Sequence, residues 1–381
     1  MNNALKNLLI VPVLCLIFAL SACSAQDATG LNIVIVTSHS GVDDGSFNQD
    51  NYNGILAFIE SRGNIDTVTT VREPTGDITA AIQAVADVAA DYDVIVTPGY
   101  PFAAIGDIAA ANPDKYFILI DCFPTDADGN TVELDNVYAM TFAEQESGFF
   151  AGIAAAMETH TGKIAVVNGI AYPTNVNFQW GFESGVNYAN AHFGAGAQIL
   201  EIAAYAGTDV TGKNVGGNYI GSFADIVAGK AVGEALIAEG CDIIFVAAGD
   251  SGNGVFAAVK DAGIYVIGVD VDQYDDGVSG DSNIILTSAL KNMAVNVERQ
   301  LNKIADGTFS GGNYLLKADT DSTGYVSAEG RQQLSDKTLA TLSEVYERVK
   351  NGAIIPSANF NGYTPENFPG LYAVLRKEEI K

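Results

Sequence analysis

The stretch Asp44-Gly45-Ser46-Phe47-Asn48 gathers a carboxylate, an aromatic ring and a carboxamide in one short Gly-containing segment. A fainter copy recurs in the second half of the chain. Phe47 and Phe178, Ile33 and Ile164, and Gly54 and Gly185 are each 131 residues apart. In both halves the phenylalanine follows an apolar run, Ile33–Thr37 or Ile164–Asn168, so each half displays one ring after its first strand. Two such rings can sandwich a flat heterocycle, and stacking contributes about 1–3 kcal/mol per base. A second matching pair, Asp121 and Asp270, ends two similar runs, Tyr116–Asp121 and Tyr265–Asp270, which lie 149 residues apart. A carboxylate accepts two hydrogen bonds at once and so suits the vicinal diol of a ribose. Asp44 and Asn48 are then candidates for the polar edge of the base. Lys291, close behind Thr287-Ser288, would offset the repulsion between two facing acids.

Each of these residues also has an ordinary structural role open to it. Phe47 and Phe178 can be core aromatics of their helices, Asp44 the N-cap of a helix running to Ser61, and Lys291 a solvated helix residue. Gly249-Asp250-Ser251-Gly252 matches the nucleophile motif of trypsin-like proteases, but the parallel α/β pattern described next is wrong for that fold. A Gly-rich turn near the ligand suits Gly249 better. Asp270-Val271-Asp272 with Asp275-Asp276 approaches the Asp-x-Asp-x-x-x-Asp-Asp calcium motif of nucleoside hydrolases. The second acidic pair comes one residue too early, and the motif lies deep in the chain rather than at the first strand. Binding without a metal or other cofactor is therefore expected, with a calcium-dependent nucleoside hydrolase as the enzymatic alternative. No Gly-Lys-Ser phosphate loop occurs, and a net negative cleft favours uncharged nucleosides over nucleotides.

Positioning these groups falls to a regular alternation of apolar strands and amphipathic helices. Strands are expected at Leu31–Thr37, Thr67–Glu73, Asp93–Thr97 and Tyr116–Ile120, with helices between them at Asp50–Ser61, Asp77–Ala90 and Phe102–Ala111. After a strand near Val137–Thr141 the scheme restarts. Helices Glu144–His160, Asn177–Phe193 and Ser222–Glu239 alternate with strands Lys163–Asn168, Gln198–Tyr205, Asp242–Ala247 and Ile264–Val269. Short, continuously apolar strands separated by helices indicate parallel sheets covered on both faces. The shared offsets point to a duplication: an α/β fold of two similar, Rossmann-like lobes. Ligands of such sheets bind outside the carboxyl ends of the strands, where Asp44, Phe47, Asp121, Phe178 and Asp270 all fall. The expected division is residues 31–142 plus about 271–316 for the N-terminal lobe and 143–270 plus about 317–381 for the C-terminal lobe. In the tail, a strand at Ile284–Thr287, a helix at Leu290–Asp306 and a mostly helical Ser327–Lys350 are expected, the chain crossing the hinge again.

Composition narrows the function classes. The formal charge of −27 argues against nucleic acid, since nothing offers the Lys/Arg stripe that neutralises phosphates. With 48% hydrophobic residues the chain can bury substantial cores, and its length suits two domains. Residues 1–22 read as a targeting segment: Lys6, then an apolar Leu8–Leu20, too short for a comfortable membrane span. Leu20-Ser21-Ala22-Cys23 looks like a bacterial lipobox, which makes Cys23 an acylated first residue, residues 23–30 a tether, and the membrane contact a lipid. An ordinary secretory signal with a stray cysteine is the alternative. Cys122 and Cys241 are expected as buried free thiols, since each adjoins a strand in a different half.

Taken jointly, Asp44-Gly45-Ser46-Phe47-Asn48, Gly148-Phe149-Phe150-Ala151-Gly152, Gly181-Phe182-Glu183-Ser184-Gly185, Tyr219-Ile220-Gly221-Ser222-Phe223-Ala224-Asp225, Gly268-Val269-Asp270-Val271-Asp272-Gln273 and Thr287-Ser288-Ala289-Leu290-Lys291 resemble the basic membrane protein family. Those are lipoproteins similar to the purine nucleoside receptor of spirochaetes. The resemblance runs from about Leu31 to Pro356. It implies a type I periplasmic-binding-protein fold with a multi-strand hinge, and a monomeric, lipid-anchored extracytoplasmic receptor feeding nucleosides to an ABC transporter permease. By motif it implies that Phe47 and Phe178 stack on the base and that Asp44 and Asn48 face its edge. Asp121, Asp270 and Lys291 would hold the ribose, with Gly249 close by. The chain departs from the family at Gly45, where many members carry lysine, and in the extended Gly212–Gly217 segment. A receptor that reports to a sensor rather than a permease would share the same pocket.

Overall fold

The computed structural model describes residues 30–372. The expected signal segment, Cys23 and nearly all of the tether lie outside the described residues. Strands β1 (Asn32–Thr37), β2 (Thr67–Arg72), β3 (Val94–Pro98), β4 (Tyr116–Ile120) and β5 (Val137–Phe142) alternate with helices α1 (Phe47–Ser61), α2 (Ile78–Val88) and α3 (Gly106–Ala111). Helix α4 (Glu144–Glu158) then opens a second series. It comprises β6 (Lys163–Asn168), α5 (Pro173–Phe193), short strands β7 (Gln198–Ile199), β8 (Gly207–Thr208), β9 (Asn214–Gly216) and β10 (Asn218–Tyr219), and α6 (Ile226–Ala238). It continues with β11 (Ile243–Ala247), α7 (Ser251–Ala262) and β12 (Tyr265–Asp270). A small hairpin, β13 (Val278–Ser279) and β14 (Ser282–Asn283), precedes β15 (Ile285–Lys291), α8 (Met293–Ala305), β16 (Gly312–Leu316), β17 (Thr323–Tyr325) and α9 (Asp336–Lys350).

Two sheets result. The first is ordered β16-β5-β4-β3-β1-β2 and is parallel throughout. The second is ordered β10-β6-β11-β12-β15-β17, with β17 antiparallel to β15 at its edge. β1, β3 and β4 in the first sheet correspond to β6, β11 and β12 in the second, and each trio holds the same relative order. The duplication also shows in the backbone. Asp121 and Asp270, each directly at the end of its strand, have φ of 69° and 66°. Left-handed backbone at a non-glycine residue costs roughly 1–3 kcal/mol, and Asp is among the few residues that adopt it readily.

The chain crosses between lobes three times: between β5 and α4, between β15 and α8, and between β16 and β17. The expected boundary near residue 271 is therefore corrected. Strand β15 belongs to the second sheet, paired with β12 from Val266–Ile285 to Asp270–Leu290, and only α8 and β16 return to the first lobe. The physical reason is the open edge of β12, whose unpaired backbone groups take up the apolar Ile285–Ala289 run. Lys291 closes that strand rather than starting a helix. Two further expectations shrink: Gln198–Tyr205 supplies only a two-residue strand, and the helix expected from Ser222 begins at Ile226.

Glycines bring the site-bearing helices into place. A Cβ on Gly148 or Gly152 of α4 would lie 2.4 or 2.1 Å from a carbonyl oxygen of α5, and one on Gly181 or Gly185 of α5 would lie 2.3 or 2.2 Å from a carbonyl oxygen of α4. The two helices thus pack backbone to backbone, which sets the position of Phe178. In the first lobe Gly54, the repeat-mate of Gly185, does the same for α1: its Cβ would come within 2.4 Å of the Ala294 carbonyl oxygen in α8. Cys122 and Cys241 are both buried and free.

Candidate functional site

Between the lobes lies a cavity of about 330 Å³, and Asp44, Phe47, Asn48, Asp121, Phe178, Gly249, Asp270 and Lys291 all line it. That volume falls at the small end of ordinary ligand pockets, roughly 300–1,000 Å³. Strand ends β4 and β12, the first turns of α1 and α5, and the loop before α7 converge there.

The ring of Phe47 is partly exposed to the cavity. Phe178 is 4% exposed and packs edge-on against Phe245 at 5.7 Å between centroids, so it serves the core and the cavity together. Lys291 reaches both rings. Its Nζ is 5.0 Å from the Phe47 centroid, 5.9 Å from that of Phe178 and 5.4 Å from that of Phe142. The ammonium is 2.5 Å from Asp121 Oδ2 and 3.3 Å from Glu144 Oε1. Burial works against the Lys291 charge, but Asp121, Glu144 and Asp270 outweigh it and hold its pKa above the ordinary lysine range. Lys291 is thus a buried charge, not the solvated helix residue that the sequence left open.

Asp270 makes no side-chain hydrogen bond among the described residues. Burial pushes its pKa up to about 8 against the pull of Lys291, with Asp121, Asp50 and Asp44 adding repulsion. Oδ1 of Asp121 and Oδ1 of Asn48 are likewise buried without a hydrogen-bond partner among the described residues. Unpaired buried acceptors are costly, and so mark places where a donor is wanted.

Asp44 is not itself the N-cap of α1, a position that Ser46 takes, but its carboxylate binds N–H groups of the first turn. It lines the cavity, but its Oδ1 already accepts from Ser46 N and Gln49 N, both at 3.1 Å, and its Oδ2 from Asn48 N and Asn48 Nδ2, both at 2.9 Å. It ties down the first turn of α1 and orients the Asn48 carboxamide, which leaves Asn48 Oδ1 as the open acceptor.

Five contributors were not foreseen as site residues. Glu144, 1% exposed at the start of α4, is raised to about 7 chiefly by burial, against the pull of Lys291. Tyr100 of the first lobe meets Tyr172 of the second at 5.1 Å between centroids, and Tyr172 meets Phe223 at 6.0 Å. Ser40 Oγ donates to the Phe223 carbonyl across the same gap at 3.4 Å. These contacts close one side of the cavity. Phe223 belongs to the Tyr219–Asp225 motif, and Tyr172 directly precedes the helix-starting Pro173; Tyr100 carries no signal beyond its type.

The side chains of the two enzyme-like motifs are engaged elsewhere. Ser251 is fully buried, its hydroxyl donating to the Ser222 carbonyl at 3.1 Å and accepting from Asp225 N at 2.7 Å. Asp272 and Asp275 turn to Arg331, at 2.7 and 2.9 Å, so the acidic run is not gathered on one point with Asp270.

Two lobes with matching strand-end groups around one interdomain cavity define a solute-binding protein of the type I periplasmic-binding fold. That fold is shared with an ABC transporter solute-binding protein from Aeropyrum pernix K1, at a TM-score of 0.72 and 22% identity over 87% of this chain and 94% of that one. The chain belongs to the Bmp family, described as ABC transporter substrate-binding protein PnrA-like, whose model matches residues 32–199 and 204–358. Basic membrane protein A of Borreliella burgdorferi is 30% identical over 352 residues, covering 90% of this chain and 93% of its own. The ABC transporter nucleoside-binding protein BmpA of Lactococcus lactis subsp. cremoris is 27% identical over 326 residues, or 78% of this chain and 83% of its own.

Proposed function

We propose that this protein captures nucleosides, purine nucleosides foremost, between its lobes and hands them unchanged to an ABC transporter permease. It works as a monomer held at the extracytoplasmic face of the membrane by lipid on Cys23. No helix among the described residues is long and apolar enough to cross a membrane; the lipid attachment rests on the Leu20-Ser21-Ala22-Cys23 motif. The observation that carries the reading is the convergence of Phe47, Phe178, Asp121, Asp270 and Lys291 on one cavity. The base stacks between the rings, its N–H groups meet Asn48 Oδ1, and the sugar hydroxyls meet Asp121, Asp270 and Lys291. Gly249 lets the loop before α7 come close. The name of the Lactococcus relative and the family match support the ligand class.

Lobe closure is the signal in this reading: a ligand touching both lobes favours the closed state by its differential affinity. The occupied Ser251 hydroxyl and the turning of Asp272 and Asp275 to Arg331 favour binding over hydrolysis. Native mass spectrometry of protein purified without added ligand tests the class, the expected result being a retained nucleoside mass. Incubation with nucleoside and calcium tests the hydrolase alternative, which requires release of free base.

A further inference from the structure

The first turn of α4 touches the other two lobe crossings. Ser147 Oγ donates to the Leu290 carbonyl at 2.7 Å and accepts from Gly324 N at 3.2 Å. Glu146 Oε2 accepts from Ala318 N at 2.8 Å and from Thr323 Oγ1 at 2.6 Å. These are structural ties of the hinge, and among the described residues neither Ser147 nor Glu146 leaves a buried polar atom without a partner. Glu144 differs. Its Oε2 accepts from Asn177 Nδ2 at 3.2 Å, and Asn177 Oδ1 in turn accepts from Asn359 N at 3.0 Å. Its Oε1 has no hydrogen bond among the described residues and lies in ion-pair contact, at 3.3 Å, with Lys291 Nζ.

Lys291 already has a carboxylate in Asp121. A second buried carboxylate on the same ammonium, with Asp270 nearby, leaves the cluster with more acid than base. Burying a charge costs several kcal/mol, and a fold selected for stability alone does better with an apolar residue there. The surplus therefore calls for a role in the site. Asp121 approaches Lys291 from the first lobe and Glu144 from the second, so the ammonium is held on both sides of the hinge. A lysine carries three N–H donors, and among the described residues only Asp121 takes a hydrogen bond from this one, which leaves donors for a ligand oxygen.

We propose that Glu144 is a positioning residue for ligand capture: anchored by Asn177, it holds the Lys291 ammonium beside the Phe47 and Phe178 rings in the geometry that receives the sugar. This deepens the nucleoside reading and rests on it. The test is a double-mutant cycle on the mature protein, titrated with inosine in a calorimeter. Glu144→Gln keeps an oxygen for Asn177 and removes the charge; it is expected to weaken inosine binding by about tenfold or more in the wild-type background and by less than about threefold beside Lys291→Met. Glu144→Asp retains the charge one methylene further back and is expected to fall between Glu144→Gln and wild type; it also serves should Glu144→Gln fail to fold. Wild-type affinity in Glu144→Gln, or a loss that persists in full beside Lys291→Met, overturns the positioning role while leaving the nucleoside reading intact. A wild-type protein that binds no nucleoside overturns both.

Discussion

Asp270→Asn should make the ligand-free protein more stable and the receptor worse. Burial raises the Asp270 carboxyl from its ordinary 3.8 to about 8. The sign follows from linkage: the folded state holds a proton that the unfolded state has released, so stability is greatest below about pH 4, declines as pH rises toward about 8, and is flat above. At about 1.4 kcal/mol per pH unit, the penalty is on the order of 4 kcal/mol at pH 7. Asparagine is nearly isosteric, tolerates the left-handed backbone with φ of 66°, and does not titrate. The variant should therefore lose this part of the pH slope and melt higher than wild type at neutral pH. Binding should move the other way above about pH 8, where the carboxyl is ionised: hydrogen bonds to a charged acceptor contribute about 1.5–3 kcal/mol, a loss of roughly 10- to 100-fold for inosine at about pH 9. Thermal unfolding by circular dichroism from pH 5 to 9, paired with calorimetry, reads both. A variant whose stability profile runs parallel to wild type, or which keeps full affinity at the alkaline end of that range, refutes the reasoning.

Gly185→Ala places a Cβ 2.2 Å from the Phe149 carbonyl oxygen; forcing α4 and α5 apart should cost about 1–3 kcal/mol, seen as a lower denaturant midpoint together with weaker ligand binding through the displaced Phe178. Phe47→Ala should cost affinity alone, about 1–3 kcal/mol of stacking, whereas Phe178→Ala, which also empties core space, should lose in addition about 3–5 kcal/mol of stability; equal stability losses in the two variants contradict the division of labour. Inosine 5′-monophosphate should bind at least about 100-fold more weakly than inosine, since its phosphate meets a cleft lined by Asp44, Asp121 and Asp270 with Lys291 already paired; comparable affinity in competition titrations contradicts that charge argument.

Much of this was legible in the sequence because duplication leaves paired marks. The 131- and 149-residue offsets picked out Phe47 with Phe178 and Asp121 with Asp270, and all four line one cavity. Apolar runs marked the sheets for the same reason that buried parallel strands admit few polar residues. What escaped notice had no repeat-mate or depended on tertiary pairing. Glu144 reads as an ordinary acidic helix start, and only the return of β15 beside β12 brings Lys291 to it. The lobe boundary was misplaced at the same spot, because which sheet edge captures Ile285–Ala289 is decided by topology rather than by its own residues. Tyr100 and Tyr172 meet only when the lobes face each other. Asp44 shows that a structural and a functional role can coexist: the carboxylate that binds first-turn N–H groups of α1 is also the one that aims Asn48.

The central claim is that the Phe47–Phe178 slot takes a nucleoside, and one calorimetric titration of the mature protein with inosine, adenosine, guanosine and the pyrimidine nucleosides tests it most directly. The expected result is saturable binding of one purine nucleoside per chain, abolished or severely weakened in Asp270→Ala. No binding heat with any of them, in protein stripped of retained ligand by unfolding and refolding, contradicts the account.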